Sequence, residues 1–251
     1  MIRLLATMVS RKWLLTTLLV LAGTALCIRL GIWQLDRLAQ RRAFNSHISM
    51  IWSMPPLDLI SSPPVDLTQM EYRAVKAEGK YDFANQMVLR NQYNNGQLGY
   101  HLLTPLVRDG SSAVMVDRGW IPADGNSAPG DWRKYDETGA VVVRGIIRLG
   151  QSRPELGIVT DPTLSPGQVR LDVWNMVNLE RISQQIPYPV LPVYIQPDVN
   201  PTDTQPPIPY QPEIELSEGP HLGYAGQWFT FAGLLFFGYP FFYLRKQVYN
   251  Q

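Results

Sequence analysis

Catalytic equipment is scarce in this chain: there is one cysteine, Cys27, and only three histidines, His47, His101 and His221. A single cysteine excludes an intramolecular disulfide and a thiolate metal cluster. Lying inside an apolar run, Cys27 reads as a small buried residue. No Gly-x-Ser-x-Gly, His-Glu-x-x-His or Ser-x-x-Lys pattern occurs, so no hydrolase is indicated and the chain reads as a non-enzyme. Excess charge is missing too. With 22 Lys and Arg against 21 Asp and Glu, the net charge of +1 leaves no electrostatic footprint for nucleic acid. Mean hydropathy is −0.10, too low for a polytopic transporter, so apolar spans must be few and the rest water-soluble. No internal repeat is visible.

What is present is two apolar runs, one near each end. Residues 13–33 form the first, preceded by Arg3, Arg11 and Lys12 and interrupted only by Arg29, whose long side chain can snorkel to the interface. A cleaved signal peptide is the rival reading, but the run exceeds a usual signal core and no small-residue cleavage site follows it. An uncleaved anchor is therefore expected. The second run, residues 221–244, carries no charge from Leu222 to Leu244. At roughly 34 Å as a helix, it is long enough to cross a bilayer. Basic residues outside both runs place residues 1–12 and 245–251 in the cytoplasm by the positive-inside rule, and the long central region outside.

Between the runs the pattern changes. Residues 34–54 keep helix formers without a breaker and predict a helical extension that ends at Pro55 and Pro56. Residues 55–196 then show short β-rich runs over 72–81, 86–90, 99–107, 113–118, 140–147 and 190–195. Asn94–Asn95–Gly96, Asp109–Gly110 and Asp124–Gly125 mark turns between them. The spacing predicts a mainly antiparallel meander or partly closed barrel, with the last strand, bearing Pro192, at an edge. One helix is expected over Met176–Gln185, capped by Asn175 and stopped by Pro187. Residues 197–220 hold seven prolines and read as an extended, stiff linker. The fold class is thus an α+β membrane protein, with two terminal transmembrane helices flanking an extracytoplasmic β domain.

Few residues qualify as functional. His101, between apolar neighbours on a predicted strand, reads as a hydrogen-bonded structural histidine. His47 belongs to the helical extension, roughly 24 Å beyond Gly31 on a straight helix, too far to share a site with His221. Arg118 and Trp120 sit in Asp117-Arg118-Gly119-Trp120-Ile121-Pro122, where a strand is expected to end in a turn. Arg118 there is either locally paired or a partner for a carboxylate of a ligand or protein. His221, Tyr224 and Trp228 share one helical face with Gln227 beside them. That face can offer an imidazole beside a flat aromatic wall, as a porphyrin ligand requires. It can equally be an ordinary interfacial aromatic belt, and residue chemistry leaves the two side by side.

Four segments carry a further signal: Leu30-Gly31-Ile32-Trp33-Gln34-Leu35-Asp36-Arg37, Gly99-Tyr100-His101-Leu102-Leu103-Thr104-Pro105-Leu106, the Arg118 segment above, and His221-Leu222-Gly223-Tyr224-Ala225-Gly226-Gln227-Trp228-Phe229. In this order between two terminal spans, they resemble the Surfeit locus protein family of cytochrome c oxidase assembly factors. Asp117 stands where that family commonly has Asn. The resemblance implies an assembly factor that binds haem a transiently, with His221 as axial ligand, and helps its insertion into the catalytic subunit of a haem-copper oxidase. Oxidase subunits, haem a synthase and the bilayer are the implied partners. Tyr224, Gln227 and Trp228 would line the ring, while Arg29 or Arg37 would approach the propionates. A bacterial inner membrane, with the central domain periplasmic, is the implied location. Two alternatives stand beside it: a scaffold for oxidase subunits that never touches haem, for which Arg118, Trp120 and the β-domain surfaces would matter, and a haem-modifying enzyme.

Overall fold

The computed structural model describes residues 10–59, 66–108, 112–154 and 160–249, with side chains to 242. Its helices are α1 (Leu14–Ser53), α2 (Leu179–Ser183) and α3 (His221–Tyr249). The strands are β1 (Leu57–Asp58), β2 (Ala74–Tyr81), β3 (Met87–Asn94), β4 (Gln97–Arg108), β5 (Ser112–Pro122), β6 (Val141–Leu149), β7 (Val173–Trp174) and β8 (Val190–Pro197). They divide into two units, one of Met1–Ile48 with Ile214–Gln251 and the other of Ser49–Glu213.

In the first unit α1 and α3 pair antiparallel. The less exposed positions of α1 run Thr17, Val20, Thr24, Cys27, Gly31, Gln34 and Leu38, and those of α3 run His221, Ala225, Trp228, Ala232, Leu235 and Tyr239. Both series step by four and three, the spacing of a supercoiled seam. Small residues make room for large ones across the seam: a Cβ on Gly31 would lie 2.7 Å from the Phe229 ring, and one on Gly23 3.4 Å from Leu235. Thr17 and Tyr239 share a hydrogen bond of 2.8 Å across the seam. Outside it, Leu15, Leu18, Leu19, Leu26, Phe237 and Phe241 are exposed, an outer surface suited to hydrocarbon rather than water. Among the described residues one helix, α1, is long and apolar enough to cross a membrane. The 29 residues of α3 have the length and lack acidic residues in the first turn, but His221, Gln227, several glycines and Pro240 dilute the apolar run.

The second unit is an eight-stranded sheet in the order β1-β2-β6-β8-β5-β4-β3-β7, and an added β2–β4 pairing closes β2, β6, β8, β5 and β4 into a small barrel. Five ladders are antiparallel and three, β1–β2, β3–β7 and β5–β8, are parallel. Val75, Ala77, Leu106, Val114, Val116, Val143, Ile147 and Ile195 fill the barrel. Met115, between two of these on β5, points the other way onto Trp174, Ile182 and Leu103, as strand alternation requires. The β3–β4 turn has positive φ at Asn95 (49°) and Gly96 (79°), the conformation that an Asn-Gly hairpin turn demands. The Asp109–Gly110 turn lies outside the described residues.

Several local expectations are corrected. The helix over Met176–Gln185 shrinks to α2, with Asn178 rather than Asn175 as its cap. The cause is that Trp174 is held extended in β7 against β3, while the Asp161 carboxylate takes the N–H groups of Asn175 and Met176. Strand β8 is no edge: it lies between β6 and β5. Pro192 is tolerated because its missing N–H falls at a register irregularity, between the pairs Ala113–Val190 and Met115–Tyr194. The Pro-rich segment is docked rather than free. Ile208 exchanges both backbone hydrogen bonds with Trp120, and the Gln211 amide donates to the carbonyls of Gln196 and Pro197.

Candidate functional site

Strand β5 runs through to Pro122, so Arg118 and Trp120 lie within it and not on a turn. Both are 5% exposed. The Arg118 guanidinium donates to Gln86 Oε1 at 3.2 Å, to the Tyr135 carbonyl, and to Glu137 Oε1 at 2.6 Å. It also stands over the rings of Tyr81 and Phe83 at 5.0 and 5.2 Å. Burial pushes the Tyr81 hydroxyl up, against the opposing pull of Arg118. The local-pairing alternative therefore describes Arg118, although its aromatic partners are Tyr81 and Phe83, not Trp120. The Trp120 indole donates to the Gln92 carbonyl at 3.3 Å, and Gly99 is required beneath it, since a Cβ there would lie 2.3 Å from Nε1. Neither side chain is offered to a partner. His101 is likewise internal, its Nδ1 2.9 Å from Asp117 Oδ2 with both groups buried. The Tyr210 ring meets its edge at 5.8 Å. Among the described residues no group of three or more His, Cys, Asp or Glu converges on a metal-sized site.

His221 is placed differently. It opens α3 after Gly219-Pro220, the first helical hydrogen bond running from Tyr224 N–H to the Pro220 carbonyl. Its Nδ1 lies 2.8 Å from Gln34 Oε1 on α1, and because that atom is a carbonyl oxygen, Nδ1 is the donor. Nε2 is then the nitrogen with a free lone pair. Gly219 precedes the helix at φ 67°, and a Cβ there would lie 3.5 Å from Nε2, in ordinary van der Waals contact. The approach to the helix is pinned on the same unit. Arg41 donates to the carbonyls of Glu215 and Ser217, the Asn45 amide donates to that of Leu216, and Arg42 forms a two-point pair with Glu218 at 2.8 and 2.9 Å. Arg42's hydrogen bonds hold the Glu218 carboxyl below its usual range.

Helical phase sets what surrounds His221. At roughly 100° per residue, Tyr224 flanks the α3 seam and Arg37 the α1 seam, while Trp228 lies in the α3 seam itself and Trp33 points away from that of α1. Because the helices are antiparallel, the two flanks open on the same side, opposite the Phe229–Gly31 contact. The result is a groove with His221 and Gln34 in its floor. Tyr224 and Gln227 are exposed, and Trp228 is half-buried against Phe231 at 6.1 Å. Arg37 stacks at 5.6 Å over Trp33 and donates to Gln40. Arg29 is exposed on the outside of α1 and His47 is exposed farther along it. Spacing had set His221, Tyr224 and Trp228 on one helical face, and the resemblance had added Arg37 as a propionate candidate. It missed Gln34 as the imidazole's partner, although the four-three stripe from Cys27 through Gly31 to Gln34 was there to be read.

The chain is similar to known proteins over most of its length. A family model described as the SURF1 family matches residues 21–233. A protein of Takifugu rubripes named Surfeit locus protein 1 is 25% identical over 87% of this chain and 90% of its own. A SURF1-like protein of Mycobacterium bovis is 27% identical over 97% of this chain and 89% of its own. A Saccharomyces cerevisiae protein named cytochrome oxidase assembly protein SHY1 is 32% identical over a shorter stretch, 37% of this chain and 24% of its own.

Proposed function

The chain belongs to the SURF1 family, and from that premise we propose that it assists assembly of a haem-copper cytochrome c oxidase by holding haem a, as cargo, in the groove between α1 and α3. The observation that carries the reading is the His221 imidazole, with Nδ1 engaged by Gln34 and Nε2 left for an axial bond to iron. The other groove residues suit the same cargo. Tyr224 and Trp228 provide a flat wall for the macrocycle, and the exposed apolar rims suit its hydrocarbon tail. Arg37 lies roughly 4.5 Å beyond Gln34 along the axis of α1, where a guanidinium can meet a propionate. Haem supplies the metal chemistry of the oxidase once delivered; the present chain binds, orients and shields it. A single protein ligand leaves the other face of the iron unclaimed, which favours release over permanent retention.

In this reading both helices cross a bacterial inner membrane, the β domain stands in the periplasm, and the partners are oxidase subunits, above all the haem-bearing one, with haem a synthase as the source of cargo. Two features support paired spans: the small-residue seam, and the two interhelical side-chain hydrogen bonds. The scaffold alternative cannot use the Arg118 and Trp120 side chains, which are buried, and keeps only the rest of the β-domain surface. The test is a visible spectrum of the detergent-purified full chain from cells that make haem a. Wild type should carry haem, and His221→Ala should accumulate normally with little or none. A His221→Ala protein with an unchanged spectrum and stoichiometry removes the haem-carrier reading and leaves the scaffold.

A further inference from the structure

We propose that Gln34 is the positioning residue for His221: it fixes the imidazole tautomer and ring angle, and thereby sets how firmly the cargo iron is held. This rests on the haem-carrier reading above and adds a residue of the other helix to it. A histidine that ligates a metal through Nε2 needs Nδ1 protonated and its ring held, commonly by an oxygen acceptor on Nδ1. Gln34 meets both needs. Its Oε1 is 2.8 Å from Nδ1, and Gln34 is only 9% exposed, on the seam line near its end, so water does not compete freely for the bond. Free rotation of the imidazole would otherwise be large, because His221 is the first residue of α3 and no preceding helical turn packs against it.

The placement also ties ligand strength to helix pairing. Gln34 lies on the four-three stripe of α1, between Gly31, which meets Phe229, and Leu38. The 215–218 segment is held to the same helix by Arg41, Arg42 and Asn45. His221 is thereby fixed to α1 from two sides, and a slide of α1 along α3 by one residue would take the amide away from Nδ1. A neutral amide is also a weaker acceptor than a carboxylate, so Nδ1–H keeps its proton fully and the imidazole remains a moderate donor to iron. That suits a protein that must hand its ligand on.

The experiment compares Gln34→Leu, Gln34→Glu, Thr17→Val and His221→Ala in the full chain, purified in detergent from cells making haem a, reading haem per protein and the midpoint potential of the bound haem. Gln34→Leu should lower haem affinity on the order of 10- to 100-fold. Gln34→Glu keeps an acceptor, so it should retain haem while moving the midpoint potential downward, a shift that mere packing does not produce. Thr17→Val removes the interhelical bond to Tyr239 and should leave both readouts as in wild type. If His221→Ala loses haem but Gln34→Glu leaves the potential unmoved, or Thr17→Val loses as much haem as Gln34→Leu, the role of Gln34 is refuted while the carrier reading stands. If His221→Ala keeps its haem, the carrier reading falls first.

Discussion

The contrast between Arg118 and His221 turns on a few hydrogen bonds. Arg118 spends three donors on Gln86, Tyr135 and Glu137 and its flat face on two aromatic rings, so it holds together strands and a loop that are far apart in sequence. Arg118→Ala should therefore destabilise the β domain by about 2–4 kcal/mol, since buried acceptors lose their donors and a cavity forms. Arg118→Lys should recover only part, because an ammonium cannot reproduce the planar fork. Thermal unfolding of the purified chain checks both. A variant with wild-type stability would mean that the site is solvated and return Arg118 to the list of partner residues. The strand was expected to end in a turn here, whereas φ of 117° at Gly119 accompanies a β5 that continues to Pro122.

At the scale of elements, the same glycine decides how the Pro-rich segment behaves. A Cβ on Gly119 would lie 2.2 Å from the Ile208 carbonyl oxygen, so only glycine allows Ile208 to pair with Trp120. Gly119→Ala should cost about 1–3 kcal/mol in backbone strain and release residues 206–211 from β5. Limited proteolysis between Pro197 and Glu213 should then be faster than in wild type. Cleavage at an unchanged rate would show that Gln211 and the prolines suffice to hold the segment. Proline content did predict an extended chain here, because proline fixes φ and removes a donor. It could not predict docking, since Ile208, between Pro207 and Pro209, still has an N–H and a C=O to offer.

For the whole molecule, the tyrosine hydroxyls that the fold buries set a pH limit. Burial raises the hydroxyls of Tyr81, Tyr188 and Tyr194 above the usual range, and for Tyr188 the hydrogen bond to Asp82 adds to it. The folded state then keeps protons that the unfolded chain gives up near pH ~10, so the stabilisation is fully present below that pH and falls as pH rises beyond it. Denaturant unfolding should show a steady loss of stability above about pH 10, and an ultraviolet titration should show at least three of the 12 tyrosines ionising only as the chain unfolds. Twelve tyrosines titrating together with the fold intact would contradict this. At the acid end Asp82 acts in the opposite sense. Burial raises its carboxyl, but hydrogen bonds from Tyr188 and Asn85 outweigh that and lower it. Its contribution is present above pH ~4 and is lost as pH falls through its folded value.

Properties that depend on neighbours along the chain were legible in the sequence alone. The two long apolar runs read as helices from length and pattern alone, as did the strand-rich middle and the Asn95–Gly96 turn. His221, Tyr224 and Trp228 were legible for the same reason, because helical phase is a local property. What only the tertiary structure decided is which distant residues meet. The barrel closes through β2 and β4, parallel β8 enters beside β5, Arg118 turns inward, and Gln34 finds His221 from 187 positions away. Each of these partners is fixed by packing of small residues and by the demand that buried donors find acceptors, and that demand is met across space, where sequence spacing carries no information.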